Sequence, residues 1–270
     1  LARCTIALFD SGVGGLTVAG RVFEKMPGLP VLYFGDTAHV PYGNRSPEEL
    51  VRYADNIIRF LSGQGATYII FACNTSSSLS LEIMRARHDL PMMGLIAPGA
   101  KAAVSSTRKG RIGVIATQAT VNTGAYEQAI CTLSPGTAVY SVAAPRLVPF
   151  VEAGLLDAPA TEQALSDYLL PLREKEIDTL VLGCTHYPFL RPAISRMLGP
   201  DVTLVDPAEA TVDAARADML DRGLLTAGDA GEPCFHRYFV SADALGFMQA
   251  ARSLLGSGAD IDVQEVCLPD

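Results

Sequence analysis

Tyr68-Ile69-Ile70-Phe71-Ala72-Cys73-Asn74-Thr75-Ser76-Ser77 and Thr179-Leu180-Val181-Leu182-Gly183-Cys184-Thr185-His186-Tyr187-Pro188 are the two stretches that decide the fold. Each opens on a run that is apolar at nearly every position, as a strand covered on both faces requires. Each then turns polar at a cysteine. In the first, Asn74, Thr75 and the serines supply N-cap chemistry for a helix ending near His88. In the second, Pro188 suits a first helical turn. The same alternation runs along the chain, with strands predicted at Thr5–Phe9, Val31–Gly35, Tyr68–Ala72, Ile112–Ala116, Ala138–Val142, Thr179–Gly183, Val202–Val205 and Phe235–Val240. The clearest helix is predicted from Pro47 to about Ser62. Ser46 is its N-cap, Glu49 closes a capping box, and Leu50, Tyr53, Ala54, Ile57, Ile58 and Leu61 form its apolar stripe. Helices from Thr161 to Glu174, Pro207 to Arg222 and Asp243 to Leu255 read the same way. Short strands alternating with amphipathic helices specify a parallel α/β architecture.

The two opening stretches are also one another's repeat. Ile70-Phe71-Ala72-Cys73 matches Val181-Leu182-Gly183-Cys184, Ile6 to Ser11 matches Ile112 to Thr117, and Val31 to Tyr42 matches Val139 to Phe150, in the same order and at similar offsets. This predicts two pseudo-symmetric parallel-sheet α/β domains, one formed by 1–98 plus 208–270 and the other by 99–207. Ligands of open α/β sheets bind beyond the carboxyl ends of the strands, so the active site is expected in the cleft between the domains.

Composition narrows the class of function. The chain of 270 residues carries 21 Lys plus Arg against 29 Asp plus Glu, a net charge of −8, which gives it no general attraction for nucleic acid or an anionic membrane. With 49% apolar and 19% charged residues it must build a substantial core. No apolar run approaches the ~20 residues of a membrane span. The N-terminal residues do not resemble a secretory signal, the chain starts at Leu1 rather than Met as a processed or trimmed chain does, and the expected location is cytoplasmic. Six scattered cysteines (4, 73, 131, 184, 234 and 267) without a C-x-x-C pair read as reduced thiols, not a disulfide framework or zinc site.

Taken singly, Cys73 or Cys184 reads as a small buried core residue, which free cysteine usually is. Taken together, at equivalent repeat positions, at strand ends and before polar followers, they read as a reactive pair. A helix N-terminus lowers a thiol pKa and its free N–H groups can hold a carboxylate. The other four cysteines lack this context. His186 gains weight from standing two residues after Cys184, whereas His39, His88 and His236 have no Cys, His or carboxylate neighbours at ligand spacing and read as structural or exposed.

Asp10-Ser11-Gly12-Val13-Gly14-Gly15 closes the first strand with a glycine-rich turn, and Asp36 ends the second, where a ribose-binding acid would stand in a dinucleotide site. The fingerprint fails, because its last glycine position holds Thr17 and an aspartate ahead of the glycines would repel a pyrophosphate. No Gly-Lys-Ser/Thr occurs. The four lysines (25, 101, 109 and 175) include no convincing Schiff-base position. Neither a metal nor an organic cofactor is expected. Gly35 to Gly43 reads equally as a surface loop or a substrate-contact loop.

These segments resemble a known family. Phe9 to Val18, Gly35-Asp36-Thr37-Ala38, Val40-Pro41-Tyr42-Gly43, Ala72 to Ser77 and Gly183 to Pro188 are similar, in order and spacing, to the signature segments of the cofactor-independent aspartate/glutamate racemase family, and within it to the glutamate enzymes. The resemblance implies interconversion of L- and D-glutamate, supplying D-glutamate for peptidoglycan. It implies Cys73 and Cys184 as the two catalytic acid/bases, Cys184 acting on L-glutamate and Cys73 on D-glutamate. Asp10, Ser11, Tyr42, Gly43, Asn74, Thr75, Thr185 and His186 match its substrate-contact positions, and Asp36, Pro41, Thr117 and Glu152 its supporting ones. His39 replaces what is often another residue. Glutamate is the implied partner, and a homodimer is left open. Aspartate racemases and related single-thiol decarboxylases share the fold and stand as the alternative reading. Independently of the resemblance, two groups on opposite sides of a carbon, one deprotonated and one protonated, are the direct way to invert it. A non-catalytic amino-acid binder would have no use for mirrored thiols.

Overall fold

A computed structural model describes residues 4–225, 235–255 and 261–269; of the predicted features, Cys234 lies outside them. In chain order the strands are β1 Ile6–Asp10, β2 Val31–Gly35, β3 Tyr68–Phe71, β4 Met92–Gly94, β5 Arg111–Ala116, β6 Ala138–Ala143, β7 Thr179–Gly183, β8 Thr203–Val205, β9 Arg237–Val240 and β10 Val263–Glu265. They form two all-parallel sheets, ordered β10-β9-β2-β1-β3-β4 and β6-β5-β7-β8. The run β2-β1-β3-β4 repeats as β6-β5-β7-β8, so the sequence repeat is a topological one, and β9 and β10 extend the first sheet beyond β2. Each sheet is covered on both faces. Along β1, Ile6 and Leu8 enter one apolar cluster while Ala7 and Phe9 enter another, as the period-2 alternation of strand side chains demands.

The helix Pro47–Gly63 begins as its sequence dictates, with both bonds of the Ser46–Glu49 capping box formed. Its six stripe residues are buried against the first sheet, each worth ~1.5–3 kcal/mol for the larger side chains. Two segments differ from expectation. The helix after Cys73 is broken at Ser80 into Asn74–Leu79 and Leu81–Arg87. There the Ser78 hydroxyl donates to Thr75 O and Ser80 to Ser76 O, the local side-chain competition that makes serine a poor interior helix residue. After Cys184 a 3₁₀ turn, Tyr187–Leu190, precedes the α-helix Arg191–Leu198, so Cys184 does not stand at an α-helix N-terminus.

Strand register sets up the site. Asp10 is level with Gly35 and Phe9 with Phe71, which brings Asp10, Asp36 and Cys73 to one sheet edge. Ala116 is level with both Ala143 and Gly183, which brings Thr117 and Cys184 to the corresponding edge of the second sheet. Among the described residues no helix is long and apolar enough to cross a membrane.

Candidate active site

The two edges meet. Ser11, Pro41, Tyr42, Gly43, Cys73, Asn74 and Thr75 from the first sheet and Thr117, Val148, Cys184, Thr185 and His186 from the second line one cavity of about 20 Å³, room for a single water. Asp10, Asp36 and Glu152 stand behind this wall and act on it through its members.

Asp10 is fully buried at the end of β1. Its Oδ2 accepts from the backbone N–H groups of Gly15 at 2.9 Å and Gly12 at 3.2 Å, so the aspartate ahead of the glycines folds the turn onto itself. The amides a pyrophosphate would use are therefore taken. The glycines instead permit contact between the halves of the site, since a Cβ on Gly14 would lie 2.6 Å from both His186 Nδ1 and Thr185 Oγ1. Burial raises the Asp10 pKa, against the lowering by the His186 charge, the two turn amides and the Cys73 thiol.

Cys73 is the N-cap residue of Asn74–Leu79 and is buried. The backbone amides of Ser76 and Thr75 bond its sulfur and favour the thiolate, as a helix start should. Burial, joined by the Asp10 and Cys184 charges, outweighs them and holds the thiol well above its ordinary range. The expectation of a lowered Cys73 pKa is thus overturned in this closed site. Cys184 meets an imidazole instead of a helix dipole, with Sγ 3.7 Å from His186 Nδ1. His186 Nε2 is in turn 2.5 Å from Glu152 Oε1. Burial pulls the imidazole pKa down, but the bonds to Cys184 and Glu152 and the charges of Cys184 and Asp10 override it, and His186 is held well above the histidine range. Each thiol therefore has its own buried ionisable partner, Asp10 for Cys73 and His186 for Cys184.

Tyr42 donates to Asp36 Oδ2 at 2.6 Å, and the same carboxylate accepts from Ser241 Oγ at 2.7 Å, which fixes the loop carrying Pro41, Tyr42 and Gly43. His39 and His88, read from the sequence as structural or exposed, each sit on a carboxylate. His39 Nδ1 is 2.8 Å from Asp36 Oδ1 and His88 Nε2 is 2.8 Å from Asp55 Oδ1. Among the described residues no group of three or more His, Cys, Asp or Glu side chains is placed to hold a metal ion.

Three residues that sequence reasoning passed over belong to the site. Val148 lines the cavity. Thr120 closes a ring of hydroxyls with Thr75 and Thr117, at 2.9, 3.0 and 3.3 Å. Tyr126 donates to Asn74 Oδ1 at 2.6 Å. Of these only Thr120 carried a local signal, since Thr117 caps its helix by accepting from the Thr120 N–H.

The family model described as Asp/Glu/Hydantoin racemase matches residues 19–215. The chain belongs to that racemase family. It is 57% identical to the glutamate racemase of Desulforudis audaxviator over 99% of both chains. Among solved structures it is similar to a glutamate racemase isoform of Bacillus anthracis, with 37% identity, a TM-score of 0.93 and 98% of both chains covered. The glutamate racemase of Francisella tularensis, solved with D-glutamate, aligns at 30% identity and a TM-score of 0.89 over 98% of both chains. The doubled parallel-sheet architecture is thus the one this racemase family uses.

Proposed function

We propose that the chain is a glutamate racemase that interconverts L- and D-glutamate by two-base proton transfer between Cys73 and Cys184, with D-glutamate destined for peptidoglycan synthesis. The observation that carries this reading is the single cavity into which the two sheets bring both thiols, each with its own ionisable partner. In this mechanism the Cys184 thiolate, paired with protonated His186, removes the α-proton of L-glutamate, and the Cys73 thiol gives its proton to the opposite face. The product is D-glutamate, with Cys184 now a thiol and Cys73 a thiolate. The reverse reaction starts from that second state. The hydroxyls of Ser11, Thr75, Thr117 and Thr185 are suited to the α-carboxylate, where charge accumulates as the proton leaves.

A cavity of about 20 Å³ does not admit an amino acid, so substrate entry requires the two halves of the site to part, and their closure excludes water. The division of the chain into 1–98 plus 208–270 and 99–207 belongs to this proposal, with the parting taking place between those units. The cytoplasmic location belongs to it as well. No metal or organic cofactor has a step in the scheme. Purified protein that has been dialysed against a chelator should abolish the optical rotation of L-glutamate with nothing added. Activity on L-aspartate with none on L-glutamate would favour the aspartate reading, and absence of activity on either would overturn the proposal.

A further inference from the structure

Asn74 is buried, and its two amide atoms are treated unequally. Oδ1 accepts from the Tyr126 hydroxyl at 2.6 Å, while Nδ2 is buried with no hydrogen-bond partner among the described residues. Tyr126 lies on the helix Ala125–Leu133 against the second sheet, and Asn74 opens the helix that follows β3 of the first. The bond therefore spans the two halves of the site. The phenol has little freedom. It is 3% exposed, a Cβ on Gly183 would lie 3.2 Å from its ring, and one on Gly99 would lie 3.2 Å from its hydroxyl. Burial, with the charges of Asp206 and Cys184 adding to it, keeps the hydroxyl protonated far above the tyrosine range, so it meets Asn74 as a donor.

We propose that Tyr126 is a positioning residue that holds the Asn74 amide with Nδ2 directed to a carboxylate of the amino-acid substrate. A primary amide can turn over with almost no change of shape, exchanging donor for acceptor. With its oxygen toward the substrate, Asn74 would repel a carboxylate. The proton that Tyr126 places on Oδ1 selects the other orientation. A buried amide nitrogen without a partner is uncommon in folded proteins. Here it belongs to a residue on the cavity wall between Cys73 and Thr75, and the substrate is the partner it lacks. The inference rests on the racemase reading above and deepens it.

The test compares wild type, Tyr126→Phe, Asn74→Asp, Asn74→Ala and the Tyr126→Phe/Asn74→Ala double variant, with L- and D-glutamate as substrates. Tyr126→Phe should raise KM by about tenfold, the scale of one hydrogen bond to a charged group, with kcat changed by less than about twofold. Asn74→Asp, which keeps the acceptor for Tyr126 but replaces the donor by an oxygen, should raise KM by at least as much. In the Asn74→Ala background Tyr126→Phe should add nothing, because the amide it orients is gone. A tyrosine with a merely structural role would keep its effect in that background. Wild-type KM in Tyr126→Phe, or an undiminished effect alongside Asn74→Ala, would overturn the inference while leaving the racemase reading intact. If Tyr126→Phe does not fold, wild-type KM in Asn74→Asp overturns it equally. A wild-type protein inactive on glutamate overturns the racemase reading and this inference together.

Discussion

Replacing Glu152 by glutamine removes one charge from the Glu152–His186–Cys184 chain and changes little else. The carboxylate oxygen 2.5 Å from Nε2 of a buried imidazole supports a protonated His186, whose Nδ1 faces the Cys184 sulfur at 3.7 Å, the base of the proposed mechanism. A hydrogen bond to a charged group contributes ~1.5–3 kcal/mol and a neutral one ~1 kcal/mol. Glu152 is 32% exposed, so solvent screening takes the difference to the lower end, ~1 kcal/mol. The expected loss in kcat/KM is about five- to tenfold, since 1.36 kcal/mol is a factor of ten. L- and D-glutamate are equal in energy, so the loss must be the same in both directions, though it can divide differently between kcat and KM. The alkaline limb of the pH profile should move to lower pH, because the imidazolium loses its anion. The pair also stabilises the fold, fully below the ordinary histidine value of about 6.5 and progressively less as pH rises through the higher folded value. Glu152→Gln should therefore lose melting temperature mainly at acid and neutral pH. Circular dichroism reads both enantiomers and the melt. A folded variant with wild-type kcat/KM and an unmoved alkaline limb would refute the role given to Glu152.

Cys73→Ser and Cys184→Ser should each lower racemisation by ~10³-fold or more, because a hydroxyl is a far weaker acid than a thiol; near-wild-type rates in either folded variant, followed by polarimetry, would exclude that thiol from the chemistry. Asp178 accepts at 2.6 Å from Thr107 Oγ1 and from the N–H groups of Arg108 and Lys109. Burial raises its pKa, but these bonds outweigh it and the carboxyl is held below the ordinary value. Asp178→Asn should cost ~1–3 kcal/mol of stability in denaturant titration at neutral pH. This contribution is fully present above about pH 3.9 and is lost as pH falls through the lower folded value, so a gap from wild type that widens on acidification would contradict the assignment.

The sheets were legible because several of their strands are apolar at nearly every position and give way to polar residues at their carboxyl ends, as after Cys73 and Cys184. The helix Pro47–Gly63 was legible because Ser46 and Glu49 announce its start. β4 and β10 were not. Met92-Met93-Gly94 and Val263-Gln264-Glu265 are three-residue edge strands whose pairing comes from the neighbouring strand and not from their own pattern. The Ser80 break and the 3₁₀ turn after Cys184 turn on local competition among hydroxyl groups and prolines that helical periodicity does not register. At the site, residues at strand ends could be found from the repeat. Tyr126 and Val148 enter it through contacts between segments far apart in the chain, and such contacts leave no local mark; Thr120 had one, in the Thr117 cap that its N–H completes. The direction of the Cys73 pKa was misjudged because a helix start was weighed without the burial and the Asp10 charge that only the assembled site supplies.

The central claim is that two fixed thiols act from opposite faces, and solvent isotope entry tests it most directly. Thiol protons exchange with solvent whenever the site opens, whereas the α-proton of unreacted substrate does not. The protein is allowed to act on protiated L-glutamate in deuterated water, and both enantiomers are recovered within the first few per cent of conversion. The account predicts deuterium at the α-carbon of the D-glutamate formed and protium in the L-glutamate that remains. Substantial deuterium in the remaining L-glutamate, or protium carried across into D-glutamate, would contradict it.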